Sequence, residues 1–167
     1  MQGFAGDGFL VRPAVEEDLD DVLEVYYRSE DFLALGPVPH ASTAMVMADL
    51  DLSARNGGVY CVIELPDGAV AGVLDYIPGG YEGLAQQAYL ELIMIAAPYR
   101  GRGLGGRVVA ALEQFLRANG VRAVLADVQV NNPDGLRFWR CAGYRVVSPA
   151  CRQPDGTVTF GLEKMLF

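Results

Sequence analysis

Histidine is nearly missing from this chain of 167 residues, with His40 alone, and cysteine is scarce, with three. Cys61, Cys141 and Cys151 form an odd set in which no pair has metal-ligand spacing, so no zinc site is expected. Cys61 and Cys141 read as reduced core residues. Positive charge is also short: 13 Lys and Arg stand against 21 Asp and Glu, a net charge of −8. Phosphate-binding surfaces are basic, so nucleic acid is not an expected partner. The acidic balance points instead toward a cationic substrate such as an amine. Long apolar runs are lacking too. The richest stretch, Ala88 to Ala97, is short and carries Glu91, so no membrane span and no membrane partner are expected. Met1 to Gly8 has no basic start before an apolar block, from which a cytoplasmic location is expected.

What is present suits one globular domain over residues 1–167, with 51% hydrophobic residues to build a core. Phe9 to Pro13 reads as a short strand ending at proline. Glu16 to Arg28 reads as a helix with Leu19, Val22, Leu23 and Tyr26 on one face. Ser29 to Ala41 holds Gly36, Pro37 and Pro39 and reads as a loop. Thr43 to Ala54 is a second helix, closed by Asn56-Gly57-Gly58. Strands over 59–65 and 69–78 flank the turn Pro66-Asp67-Gly68. A connection over 79–87 leads to a strand at Ala88 to Ile95. A helix over Leu104 to Asn119, a strand over Ala123 to Val130 and a short helix over Pro133 to Ala142 follow. Strands near 144–147 and 157–166 could pair as a hairpin, giving a mixed sheet in the order βααβββαβαββ.

The most informative unit is the strand that runs through Ala96-Ala97-Pro98-Tyr99 into Arg100-Gly101-Arg102-Gly103-Leu104-Gly105-Gly106 and the long helix beyond. Glycines in a first helical turn leave backbone N–H groups uncovered, and those groups have no partner inside the helix. With the positive end of the helix dipole they form an anion site, to which Arg100, Arg102 and Arg107 add charge. No Gly-Lys-Ser or Gly-Lys-Thr follows, against an ATP-type loop. Gly101, Gly103 and Gly106 do fit dinucleotide spacing, with Asp127 at the distance of a ribose ligand, although the preceding strands and helices argue against that fold.

Arg100-x-x-Gly103-x-Gly105, after an apolar strand and before a long helix, resembles the acetyl-CoA pyrophosphate motif of the GNAT N-acetyltransferases. The segment Asn132 to Tyr144 resembles that family's Asn-x-x-Ala-x-x-Phe-Tyr-x-x-x-Gly-Phe pattern. The resemblance implies an α/β (α+β) domain whose mostly antiparallel mixed sheet splays at its centre, with helices on both faces. It implies acetyl-CoA as cosubstrate. Pantetheine would lie on the backbone of Ile93, Met94 and Ile95, and the pyrophosphate on N–H groups from Arg100 through Gly101, Arg102, Gly103, Leu104 and Gly105 to Gly106. Asn132 is first an N-cap, in Asn-Pro-Asp, and by resemblance a CoA contact as well. Phe138 and Trp139 would pack beside the cosubstrate.

Trp139 departs from the family, where tyrosine often serves as general acid. Indole N–H donates a hydrogen bond but is not a usable acid, though a thiol of pKa about 8.5 leaves tolerably without one. Tyr144 reads as a core aromatic. Strict alternation places Ala88, Leu90, Leu92 and Met94 on one face of their strand and Tyr89, Glu91, Ile93 and Ile95 on the other. Glu91 is then an exposed strand residue or a site residue; the resemblance implies a general base for a protonated amine. Asp75, Tyr26 and Tyr81 are candidates for binding the acceptor, with Tyr27 and Glu82 nearby, and His40 is read as incidental. Three functions stay open: acetyl transfer to a small-molecule or peptide amine, non-catalytic acyl-CoA sensing, and dinucleotide binding. The sequence does not set the oligomeric state and is compatible with a homodimer.

Overall fold

The computed structural model describes residues 3–167, and Met1 and Gln2 lie outside them. Eight strands form one sheet: β1 (Phe4–Gly6), β2 (Phe9–Pro13), β3 (Val59–Glu64), β4 (Val70–Ile77), β5 (Gln87–Ile95), β6 (Ala123–Gln129), β7 (Arg145–Arg152) and β8 (Val158–Met165). Their spatial order is β1-β2-β3-β4-β5-β6-β8-β7. Every neighbouring pair is antiparallel except β5 with β6. Five helices accompany them: α1 (Leu19–Tyr27), α2 (Glu30–Leu33), α3 (Thr43–Arg55), α4 (Leu104–Ala118) and α5 (Pro133–Cys141).

Each face of the sheet has its own core. On one, α4 buries Leu104, Val108, Leu112 and Leu116, at four-residue spacing, against Ile63, Leu74, Leu90 and Val124. Such spacing keeps one stripe of the helix against the sheet, and each of these side chains contributes about 1.5–3 kcal/mol by leaving water. On the other, α1 contributes Val22, Val25 and Tyr26 and α3 contributes Val46, packed on Val62, Val73 and Met94. The β3–β4 turn closes as its sequence requires: Gly68 takes φ +86°, a backbone that side-chain-bearing residues rarely adopt.

Four local expectations change. The first strand expected, β2, has a partner in β1, three residues too short to show a pattern. Glu16–Asp18 forms a separate 3-10 turn, so the helix expected from Glu16 begins at Leu19. The expected loop over 29–41 contains one helical turn, α2. Strand β7 runs to Arg152 with every residue exposed, so no alternation of apolar residues marked its length.

The fifth change matters most. Asp75 pairs with Leu92 and Tyr76 with Leu90, which leaves Glu91 as an extra residue in β5, a β-bulge. Alternation therefore breaks there. Ala88 and Leu90 face the α4 core, but beyond the bulge Ile93 and Ile95 face it, while Leu92 and Met94 turn to the core under α1 and α3. The faces read from uninterrupted alternation are wrong after Glu91 for that reason.

Candidate functional site

The bulge coincides with an opening in the sheet. Strands β5 and β6 pair from Gln87 with Ala123 to Leu90 with Ala126 and no further. Past that point β6 continues only with β8, through Gln129 and Thr159. One edge of β5 from Glu91 to Ile95 thus has no strand beside it. Ala96 N–H donates to Ala71 O. By antiparallel alternation Met94 also directs its backbone to β4, while Ile93 and Ile95 direct theirs to the opening. Met94, expected with them as a backbone contact, therefore has its polar groups engaged in the sheet.

A cleft of about 670 Å³ enters this opening. Its floor is Ile93 to Ile95, one wall is the loop and first turn at Gly101 and Gly103 to Gly106, and the other is Asn132, Phe138 and Trp139. Gly103 is the N-cap of α4 with φ +74°, and Gly101 has φ +75°. A Cβ added at Gly101 or Gly106 would meet no protein atom within 4 Å, so the space over the loop is open. Leu104, Gly105 and Gly106 are the first residues of the helix and have no acceptor within it. These N–H groups and the helix dipole make a cradle that fits a pyrophosphate.

The arginines are differently employed. Arg100 gives its backbone N–H to Ala97 O at 3.3 Å. Its Nε donates to Ile95 O at 2.6 Å and its Nη1 to Asp31 at 2.5 Å, tying the loop to α2. Arg107 Nη1 donates to Arg102 O, and Arg102 does not line the cleft. Asn132 caps α5 by accepting from Gly135 N–H at 2.8 Å. A Cβ at Gly135 would come 2.4 Å from Asn132 Nδ2, which explains glycine there. Trp139, 6% exposed, meets Phe138 and Tyr144 edge to face and reaches both sides of the opening.

A second cavity of about 520 Å³ meets the first at Phe32, Ile93, Asn132 and Trp139. Glu91 and Asp75 line its inner part, with Asp49, Tyr60 and Tyr89 beside them and Asp127 across the opening. Asn56, at the end of α3, donates to Glu91 Oε1 at 3.1 Å. Asp75 is 4% exposed and accepts from Ser53 Oγ at 2.7 Å. Burial pushes its carboxyl above the ordinary carboxylate range, opposed by the Ser53 bond and reinforced by neighbouring Glu91. Burial also raises Asp49 and Asp127, although Tyr26 and Tyr89 hydroxyls donate to them.

Of the residues expected on the acceptor side, Glu91 and Asp75 line the second cavity and two tyrosines do not. Tyr26 is 1% exposed and lines neither cavity; it supports Asp49 and Tyr60 from behind, at 2.6 and 2.8 Å. Tyr81 stacks on Tyr89 with ring centroids 4.3 Å apart and also lies outside the lining. Asp127 lines the second cavity rather than the glycine loop, which removes its role in a dinucleotide reading. Cys61 is buried as expected, whereas Cys141 is exposed because the end of α5 turns it outward. Phe32, Asp31, Asp49, Ser53 and Asn56 were missed. Phe32 and Asp31 lie in the segment taken for loop. Asp49, Ser53 and Asn56 belong to a helix recognised by its Asn56-Gly57-Gly58 stop, which says nothing of what those side chains face. Among the described residues no group of three or more His, Cys, Asp or Glu could hold a metal ion, and no helix is long and apolar enough to cross a membrane.

Comparison with known proteins agrees with this geometry. A family model described as the acetyltransferase (GNAT) family matches residues 19–144. The chain is 37% identical over 60 residues to mouse N-alpha-acetyltransferase 80, a match that spans 36% of this chain and 18% of the mouse protein. An acetyltransferase structure from Thermus thermophilus superposes with a TM-score of 0.79 at 25% identity, over 95% of this chain and 97% of that one. The spermidine N-acetyltransferase of Vibrio cholerae, solved with CoA and spermine, shares the fold, with a TM-score of 0.72 at 12% identity over 96% and 97% of the two chains.

Proposed function

The chain belongs to the GNAT acetyltransferase family, and from that membership we propose that it transfers an acetyl group from acetyl-CoA to a primary amine by direct attack in a ternary complex. The observation that carries this reading is the junction of the two cavities at the open edge of β5. One cavity has the free N–H groups an anion needs, and the other has a carboxylate at the strand bulge.

Acetyl-CoA, when bound, supplies a thioester carbonyl for attack and a thiolate that departs. Gly101 and Gly103 to Gly106 hold the pyrophosphate through backbone N–H groups, and Ile93 and Ile95 offer theirs to pantetheine and the carbonyl oxygen. A protonated amine must lose a proton before it can attack, and Glu91, directly or through water, accepts it. Asp75 sits beside Glu91; burial favours its protonated form, and an arriving ammonium draws out its charge, so the pair together holds the cationic amine. No cysteine serves as nucleophile: burial pushes the Cys61 thiol up to about 12, and Cys141 and Cys151 line neither cavity. Trp139 closes the wall without donating a proton to the leaving thiolate.

The test is calorimetry with acetyl-CoA followed by thiol release across a panel of amines. Binding and release together support the reading. Binding without release over a broad panel favours an acyl-CoA sensor, and absence of binding overturns the reading.

A further inference from the structure

The second cavity has an unusual charge balance. Five carboxylates line it: Asp49, Asp75, Glu91, Asp127 and Asp155. No Lys, Arg or His does. They come from α3, β4, β5, β6 and the β7–β8 turn, so five separate segments converge one sign of charge on one space.

Pairing elsewhere sets them apart. Outside this cavity every buried or half-buried carboxylate has a basic side chain within 4.0 Å. Asp18 and Glu64 share Arg12, Glu30 has His40, Glu113 has Lys164 and Glu163 has Arg145. Inside it, Asp49, Asp75 and Glu91 have none among the described residues, although Asp75 is 4% exposed. A buried carboxyl without a cation keeps its proton at a cost that rises with pH, and a cationic ligand removes that cost. Asp75 has a single hydrogen-bond donor, Ser53, on one oxygen. The acids do not converge as metal ligands do: among the described residues no group of three or more His, Cys, Asp or Glu is placed to hold an ion.

Two groups of acids face each other across the opening in the sheet. Asp75 and Glu91 lie on β4 and β5, while Asp127 lies on β6 beyond its last pairing with β5, and the turn at Asp155 follows. Tyr60, Tyr89 and Trp139 provide aromatic surface between them, suited to aliphatic stems and to cations.

Resting on the acetyltransferase reading, we propose that the acceptor is a flexible aliphatic polyamine, with two or more protonated nitrogens on a hydrocarbon chain. The reacting nitrogen lies at Asp75 and Glu91 and a second ammonium at Asp127. A monoamine would leave Asp127 and Asp49 without a cation. A peptide brings a carbonyl per residue, and the five carboxylates, being acceptors only, offer it nothing. Tyr60, Tyr89 and Gln153 already spend donors on Tyr26, Asp127 and Thr159, which leaves the balance in favour of a cation. The transfer balances as for any primary amine: one ammonium proton passes to Glu91 and then solvent, the N–C bond forms, and the C–S bond breaks with its electron pair leaving on the CoA sulfur. The second proton of the attacking nitrogen ends on that thiolate, and the other ammonium keeps its charge.

The matched pair 1-aminohexane and 1,6-diaminohexane differs in the second ammonium alone. We expect kcat/KM for the diamine to exceed that for the monoamine by about 30-fold or more. The ratio should fall in 0.5 M salt and shrink at least about fivefold in Asp127→Asn. A ratio near the statistical factor of about two, or a basic peptide outperforming the diamine by about tenfold, would overturn the proposal while leaving acetyl transfer intact. Where acetyl-CoA binds but no amine is acetylated, the same pair is compared by calorimetry on CoA-loaded protein, and equal affinities overturn it. Failure to bind acetyl-CoA removes the underlying reading instead.

Discussion

The two cavities that meet at Trp139 are built by opposite means. The first cleft presents backbone: glycines at 101, 103, 105 and 106, a helix start and an unpaired strand edge. The second cavity, the proposed acceptor site, presents side chains drawn from distant parts of the chain. Backbone recognition needs a contiguous run of small residues and tolerates little. Side-chain recognition leaves each position free to change, so selectivity can drift while cosubstrate binding stays fixed.

The largest effect should come from putting a side chain into the backbone cradle. Gly103→Asp keeps a residue type that tolerates left-handed backbone, so the melting temperature should move little. The added charge faces the pyrophosphate, and acetyl-CoA affinity should fall about 100-fold or more by calorimetry. Retained affinity would break the contrast between the two cavities.

The next effect belongs to the other cavity. Glu91→Gln should lower kcat/KM for the amine by about 100-fold at neutral pH, in the range of a lost general base, with acetyl-CoA affinity preserved. Unchanged turnover would remove Glu91 from the mechanism.

Trp139→Tyr, at the junction, should change kcat near neutral pH by less than the roughly 100-fold that a full general acid supplies. The leaving thiol hardly needs one. A gain of that size in steady-state rate would show that proton donation limits the enzyme.

The smallest effect is on stability. Burial holds the Asp75 carboxyl above its ordinary range. The folded protein therefore keeps a proton that the unfolded chain releases, and Asp75 costs stability as pH rises from about 3.9 through its folded value. Asp75→Asn retains an acceptor for Ser53. It should raise the melting temperature by about 2–4 °C on the alkaline side of that window and flatten its dependence on pH, read by calorimetry. Melting curves parallel to those of the unchanged protein would count against a strained carboxyl.

The contrast also explains what could be read from sequence. The glycine loop, α4 and the Asn132 cap are local: their residues are neighbours in the chain, and their chemistry follows from spacing. Glu91 was conspicuous because a carboxylate interrupts an apolar strand. Asp49 and Ser53 looked like ordinary polar positions on α3, and Asn56 like part of a helix stop. Only the packing of α3 on β3 and β4 brings them to Asp75 and Glu91. Tyr26 misled for the converse reason, because an aromatic on an amphipathic helix carries no sign of whether its hydroxyl meets solvent or another tyrosine. The one helical turn of α2 was hidden by the glycine and prolines that follow it.

The bulge at Glu91 has a consequence in counting. Side chains in a strand alternate, so one surplus residue shifts the parity of everything after it. Before the bulge the even-numbered Ala88 and Leu90 face the α4 core; after it the odd-numbered Ile93 and Ile95 do. Substitution at position 91 leaves that parity intact, because it follows from how many residues stand between Leu90 and Leu92 and not from which one. Deletion of Glu91 would make the ladder with β4 regular while Leu90 and Leu92 kept their present faces. Comparing that deletion with Glu91→Gln would separate what the carboxylate does from what the extra length does, which is to end the pairing of β5 with β6 where the two cavities meet.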